Sequence, residues 1–212
     1  LDAEQQTRLL FSKHIDLLNA EGMNLRDNCH RTWIFVRDID RNYSGVVTGR
    51  NQIFREEGLT ADDHFVATPG IGGNALSKEA LVSIDFFSVE GLSADAVDYM
   101  HAPEYLNSTH EYGVAFERGT RLRFPEGNLL FVSGTASIDK HGECLYRGDV
   151  LAQTERLFLN IEQLLADKNA ELSHLKYIIV YLRDVADARL VASYLQTRFP
   201  ALPYLLTEAR VC

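Results

Sequence analysis

Arg118 is the residue of greatest chemical promise in this 212-residue chain. It follows Val114 and Phe116 at a spacing of two, so in an extended segment the three side chains share one face. An arginine set among apolar neighbours either pairs with an acid, here Glu111 or Glu117, or holds a ligand. Its guanidinium is a planar, permanently charged fork that matches a carboxylate. Six residues earlier, Tyr112 either donates a hydrogen bond to such an anion or packs at the rim of the core. Ser133-Gly134-Thr135-Ala136 ends an apolar run with small side chains. That leaves room for a ring beside backbone N–H groups and the Thr135 hydroxyl, or it lets two strands pack closely. Arg50, in a Gly49-Arg50 pair, either lines a cleft or lies on the solvated face of a helix.

Other chemistries find little support. His101 and His110 stand nine residues apart with no third ligand nearby, so no metal site is expected. Cys29, Cys144 and Cys212 are odd in number, widely spaced and without a C-x-x-C pair, which points to reduced thiols in a cytoplasmic protein. Neither a G-x-G-x-x-G fingerprint nor a P-loop is present, and no cofactor is expected.

The elements that position these residues come in two copies. Gln6-Thr7-Arg8-Leu9-Leu10-Phe11 recurs as Gln153-Thr154-Glu155-Arg156-Leu157-Phe158, an offset of 147 (153 minus 6). Leu17-Leu18 and Leu25 meet Leu164-Leu165 and Leu172 at the same offset; after a one-residue gap, Val36-Arg37-Asp38 meets Leu182-Arg183-Asp184. A period this long means two copies of a domain. Leu157, Ile161, Leu164 and Leu165 mark an amphipathic helix. Residues 32–36 and 177–182 are β-branched and aromatic runs, expected as strands buried on both faces or in mid-sheet. Each is followed by a helix, from residues 42–44 to Gly58 and from Asp187 to Phe199.

Between the copies, residues 91–113 read as an ordered linker, and residues 114–124 and 128–137 as a hairpin turning at Pro125-Glu126-Gly127-Asn128. A short strand is also expected at residues 143–146. The domains are therefore expected at 1–90 and 114–212. The first copy starts directly at its helix, and the last strand of the second has barely begun at Cys212, so the first lobe is expected to be incomplete at its start and the second at its end.

Composition narrows the function classes. With 46% hydrophobic and 24% charged residues the chain is an ordinary globular protein. Its net charge of -9 argues against a general nucleic-acid or membrane-surface binder, both of which reward a basic face. The longest uninterrupted apolar stretch, residues 177–182, is far too short to span a bilayer.

Three pieces of the second copy resemble the YjgF/RidA family: Leu130-Phe131-Val132-Ser133-Gly134, the helix from Gln153, and the strand from Tyr177 to Asp184. The resemblance implies an α+β fold with two YjgF/RidA-like (chorismate-mutase-like) lobes, each a mixed sheet backed by two helices. It also implies a monomer or homo-oligomer, with the trimer common in that family. The deaminase signature departs at Phe116-Glu117-Arg118-Gly119, at Thr135 and at Leu205, which leaves imine or enamine deamination as an alternative.

Over nearly the whole chain the sequence is similar to the chorismatase family, which is built as two fused lobes of this kind. The residues concerned are Arg31-Thr32-Trp33-Ile34-Phe35 before Asp38-Ile39, Gly49-Arg50, Ala67-Thr68-Pro69-Gly70-Ile71-Gly72, Ala102-Pro103, Tyr112-Gly113 with Arg118, and Ser133-Gly134-Thr135-Ala136-Ser137-Ile138. This resemblance implies cofactor-free cleavage of the enolpyruvyl ether of chorismate. Tyr112, Arg118, Gly134, Thr135, Ala136, Cys212 and Arg50 would bind the substrate, and the glutamate that donates the proton would lie seven residues beyond Cys212. A non-catalytic binder of a small carboxylate metabolite is the remaining alternative. The expected partner is thus a small anion, with no nucleic acid and no membrane.

Overall fold

The structure, a computed structural model, describes residues 1–109 and 113–211. They form two compact units, one of residues 1–99 with 109–134 and the other of residues 100–108 with 135–211.

In the first unit, helix α1 (Ala3–Ala20) is followed by a single turn, α2 (Leu25–Asn28), strand β1 (Cys29–Val36), helix α3 (Ile39–Glu56) and strands β2 (Gly70–Gly72) and β3 (Val82–Ser88). β1 lies between β2, which it pairs in parallel, and β3, which it pairs antiparallel. Ile34 and Val36 on one face of β1 join Phe11, Val46, Ile53 and Phe54 in a core under α1 and α3. The other face carries Trp33 and Phe35, both half-buried.

A second sheet, in the order β4-β5-β6, is built from β4 (Val97–Tyr99), β5 (Gly119–Phe124) and β6 (Gly127–Val132). The pairing of Phe124 with Gly127 makes the hairpin turn at Pro125-Glu126. This hairpin is shorter than the sequence suggests, because residues 114–118 form an irregular strap. Only Glu117 of the strap pairs, making a single bridge to Ala67, which in turn bridges to Arg31. The linker is more regular than expected, since β4 comes from it.

The second unit repeats the order with helix α4 (Val150–Ala166), a 3-10 turn at Leu172–His174, strand β7 (Ile178–Leu182), helix α5 (Ala188–Arg198) and strand β8 (Tyr204–Glu208), which runs parallel to β7. β8 ends at Glu208, ahead of Cys212. Residues 143–146 hold no strand, only a bridge between Ile138 and Cys144. β7 is buried on one face, not both. Ile178, Val180 and Leu182 pack on Phe158, Val191 and Leu195, while Ile179 and its partner Leu205 stay 40% and 56% exposed.

The repeat extends to the details that start each helix. Asp2 caps α1 by accepting from the Gln5 N–H at 2.8 Å, and Asp149, 147 positions later, caps α4 by accepting from the Ala152 N–H at 3.0 Å. Thr7 and Thr154, both buried, each return their hydroxyl to the carbonyl four residues back at 2.7 Å. Phe11 and Phe158 are buried at the same step.

The copies diverge where their helices meet. A Cβ on Gly49 would lie 2.8 Å from the Glu4 carbonyl oxygen, so α1 and α3 touch through glycine. The residues at the matching steps of α5 (45 and 49 plus 146) are Val191 and Leu195, both buried, and α4 and α5 pack less closely.

Candidate functional site

Segments far apart in the sequence converge on Ser133. Its hydroxyl accepts from the Thr68 N–H at 3.0 Å, donates to the Glu117 carbonyl, and receives Arg31 Nη1 at 3.4 Å. The Ser133 N–H donates to the Arg118 carbonyl at 2.9 Å. One residue on, a Cβ at Gly134 would meet Pro69 Cβ at 3.3 Å. Thus the Arg31-Thr32-Trp33, Ala67-Thr68-Pro69 and Ser133-Gly134 segments meet at one hydroxyl, with the Glu117-Arg118 strap beside them. Thr68 is tied in further by its hydroxyl, 2.7 Å from that of Thr32.

The small side chains of this segment are therefore used for close packing at Ser133 and Gly134. Gly134 and Ala136 remain exposed, and Thr135 is half-buried. Close packing thus accounts for Ser133 and Gly134, and the two residues that follow are not consumed by it.

Three arginines of the first unit are buried, each over an aromatic ring. Arg118, 7% exposed, places its guanidinium 5.3 Å from the centre of Phe116. Arg31 lies 5.0 Å from the centre of Trp33 and 5.9 Å from that of Phe131. Arg50 is 1% exposed and stacks 5.9 Å from Phe54, so it is not on a solvated helix face. Guanidiniums tolerate such positions because the cation is weakly hydrated and attracted to ring faces.

Arg118 and Phe116 lie together although residues 114–118 are not a strand. The strap is held by Ala115 in the core, by the Glu117 N–H on the Val66 carbonyl at 3.3 Å, and by the Glu117 carboxylate on the Phe65 N–H at 2.9 Å. Asn51, next to Arg50 on α3, donates to the Gly113 carbonyl at 2.9 Å, which ties the start of the strap to that helix. Tyr112 and Cys212 lie outside the described residues.

In the second unit, the small-residue segment is gripped from α4. Asn160 Nδ2 donates to the carbonyls of Ala136 and Ile138, each at 3.0 Å. Arg156, one turn earlier, donates to the Ile138 carbonyl at 3.1 Å and to the Tyr105 carbonyl at 3.2 Å, and stacks on the Tyr105 ring. From the sequence Arg31 and Ser133 stand only inside longer motifs and Arg156 only inside the repeat, and neither these three nor Asn160 were given a role of their own. The repeat held a signal for two of them. Positions 156 and 160 correspond to Leu9 and Lys13 (less 147), both of which are exposed.

Neither of the titratable groups next to Arg31 supplies charge at neutral pH. Burial, and secondarily the charge of His64, pushes His30 down to about 4, so its imidazole is neutral. Burial pushes the Cys29 thiol up to about 12. Among the described residues no group of three or more His, Cys, Asp and Glu side chains is placed to hold a metal ion, and no helix is long and apolar enough to cross a membrane.

The model of the Endoribonuclease L-PSP family matches residues 116–209. Chorismatase of Streptomyces hygroscopicus is 25% identical over 224 aligned positions, covering 95% of this chain and 62% of that protein. A RutC family protein of Pyrococcus abyssi is 36% identical over 61 residues, which is 29% of this chain and 48% of the relative. The chain thus spans about half the length of one relative and under two thirds of the other. A crystal structure of chorismatase superposes with a TM-score of 0.81 at 24% identity, covering 97% of this chain and 65% of that one. The fold is the α+β fold of those proteins, and the chain is similar to chorismatase over 95% of its length and to the Endoribonuclease L-PSP family over residues 116–209.

Proposed function

We propose that this chain belongs to an enzyme that cleaves the enolpyruvyl ether of chorismate, releasing pyruvate and a dihydroxycyclohexadiene carboxylate or a hydroxybenzoate. The observation that carries the reading is the joining of the buried Arg118 strap to the Ser133-Gly134 segment, within a chain similar to chorismatase along 95% of its length. Chorismate carries two carboxylates, and a buried guanidinium is suited to hold one away from water. The exposed Gly134 and Ala136 leave space for a ring.

Hydrolysis of an enol ether starts with a proton delivered to the terminal methylene carbon. Water then adds to the resulting oxocarbenium carbon, and the hemiketal collapses to pyruvate and the ring alcohol. A carboxylic acid kept neutral by apolar surroundings suits the first step. The residues read as the substrate-binding part of that site are Arg118, Gly134, Thr135, Ala136 and Arg50, with Tyr112 and Cys212 assigned by resemblance.

Incubating the purified full-length protein with chorismate and following pyruvate tests the reading. Pyruvate should form well above the uncatalysed rate. Its absence, with the protein folded, overturns the proposal; ammonia release from amino-acid-derived imines would favour the deaminase alternative instead.

A further inference from the structure

The two helices that open the two copies match in cap, threonine and phenylalanine, yet differ at two steps that face backbone in the second unit. Where α1 has Leu9 and Lys13, both exposed, α4 has Arg156 and Asn160. Asn160 is fully buried. A buried amide in a helix that otherwise repeats an amphipathic pattern costs stability unless its polar atoms are engaged. Its Nδ2 is engaged twice, on the carbonyls of Ala136 and Ile138, while among the described residues its Oδ1 has no partner.

The consequence lies in the peptide planes. Among the described residues every peptide bond is trans, and in a trans peptide the C=O of one residue and the N–H of the next point in opposite directions. Turning the Ala136 carbonyl toward α4 therefore turns the Ser137 N–H away from it. The Ala136 carbonyl also accepts from the Ile138 N–H at 2.9 Å, which closes a tight turn around Ser137 and fixes that plane. The next N–H with the same orientation, that of Asp139, is taken by the Glu143 carbonyl at 3.1 Å. The carbonyl and hydroxyl of Ser137 are also occupied, the first by the Leu145 N–H and the second by the Leu145 carbonyl. Among the described residues no acceptor is paired with the Ser137 N–H.

We infer that Asn160 is a positioning residue of a carboxylate site: by holding the Ala136 and Ile138 carbonyls from α4, it aims the Ser137 N–H at a carboxylate of the bound ligand. Arg156 seconds it through its own bond to the Ile138 carbonyl. A preset backbone donor binds an anion without reorganising, which is why such donors recur in anion sites. The inference rests on the reading of Gly134, Thr135 and Ala136 as part of a substrate site, and it adds a backbone donor and the residue that aims it.

The test is a titration of 15N-labelled full-length protein with 3-hydroxybenzoate, a ring carboxylate, followed at the Ser137 amide. In the unaltered protein that amide should move downfield with saturation. Asn160→Ala should weaken the dissociation constant about tenfold and abolish the shift, as loss of a hydrogen bond to a charged group would. Arg156→Ala, which leaves the core filled, should weaken it about threefold. Lys13→Ala, at the matching step of the first copy, should leave it unchanged.

A Ser137 amide that does not respond in the unaltered protein overturns the inference. So does an unchanged dissociation constant in a folded Asn160→Ala, or in Arg156→Ala should the first variant fail to fold. Chorismate turnover is measured separately, so a protein that binds the probe through Ser137 but makes no pyruvate counts against the proposed reaction and not against the positioning role.

Discussion

At the scale of single residues, Arg118 is where burial and charge come into conflict. Its side chain is 7% exposed and lies over Phe116, and the backbone around it is fixed by Ser133 and Glu117. A hydrogen bond to a charged partner contributes about 1.5–3 kcal/mol, so Arg118→Ala should raise the KM for chorismate by roughly 10 to 100-fold. The more informative variant is Arg118→Lys. It keeps the charge and loses the fork, and a KM raised about tenfold with kcat little changed would mark Arg118 as a carboxylate binder. If both variants keep the original KM while the protein loses thermal stability, Arg118 is a structural cation. The arginine was visible in the sequence because its apolar neighbours alternate with it. Arg31 was not, since it stands inside a run of strand-forming residues that marks a strand and says nothing of what crosses it. Ser133 was visible only as one of a string of small residues; its three hydroxyl contacts come from positions as many as 102 residues away.

At the scale of elements, the internal repeat made most of the fold legible. Caps, buried threonines and phenylalanines recur at one spacing because each copy must start a helix and bury its stripe on a strand. Local chemistry fixes such features, and so the sequence shows them. What it did not show is set by longer-range packing. Residues 114–118 have the alternation of a strand, yet they form a strap because just one of their residues finds a pairing partner. Residues 177–182 read as a strand buried on both faces or in mid-sheet, yet Ile179 and its partner Leu205 are exposed; apolar composition alone does not say which faces are covered. The helix pairs show how one repeat can carry two packings. Gly49 admits α1 at a distance no side chain would allow, whereas Leu195 fills the same step of α5. Gly49→Ala should therefore destabilise the protein by about 1–3 kcal/mol through overpacking, in spite of alanine's better helix propensity. Leu195→Ala should cost about 2–5 kcal/mol through the cavity it leaves. Denaturant unfolding of each variant checks the pair; a stabilised Gly49→Ala would show that the close approach of α1 and α3 is not maintained in solution.

At the scale of the whole molecule, the chain combines a net charge of -9 with a first unit that buries three arginines. The sequence reading used the net charge to argue against nucleic acid and membrane as partners, and the same charge bears on a small anionic substrate. A dianion approaching a chain of the same sign meets repulsion at long range and attraction only near the guanidiniums. These two parts respond differently to salt. The screening length falls from about 30 Å at 0.01 M to about 8 Å at 0.15 M, which removes most of the distant repulsion. Attraction at a buried cation is screened much less. Raising ionic strength over that range should therefore increase kcat/KM for chorismate, by about twofold, through a lower KM with kcat unmoved. A neutral probe such as a ring alcohol without a carboxylate should show no such dependence. If kcat/KM falls with salt instead, the approach is governed by a local basic surface strong enough to outweigh the net charge.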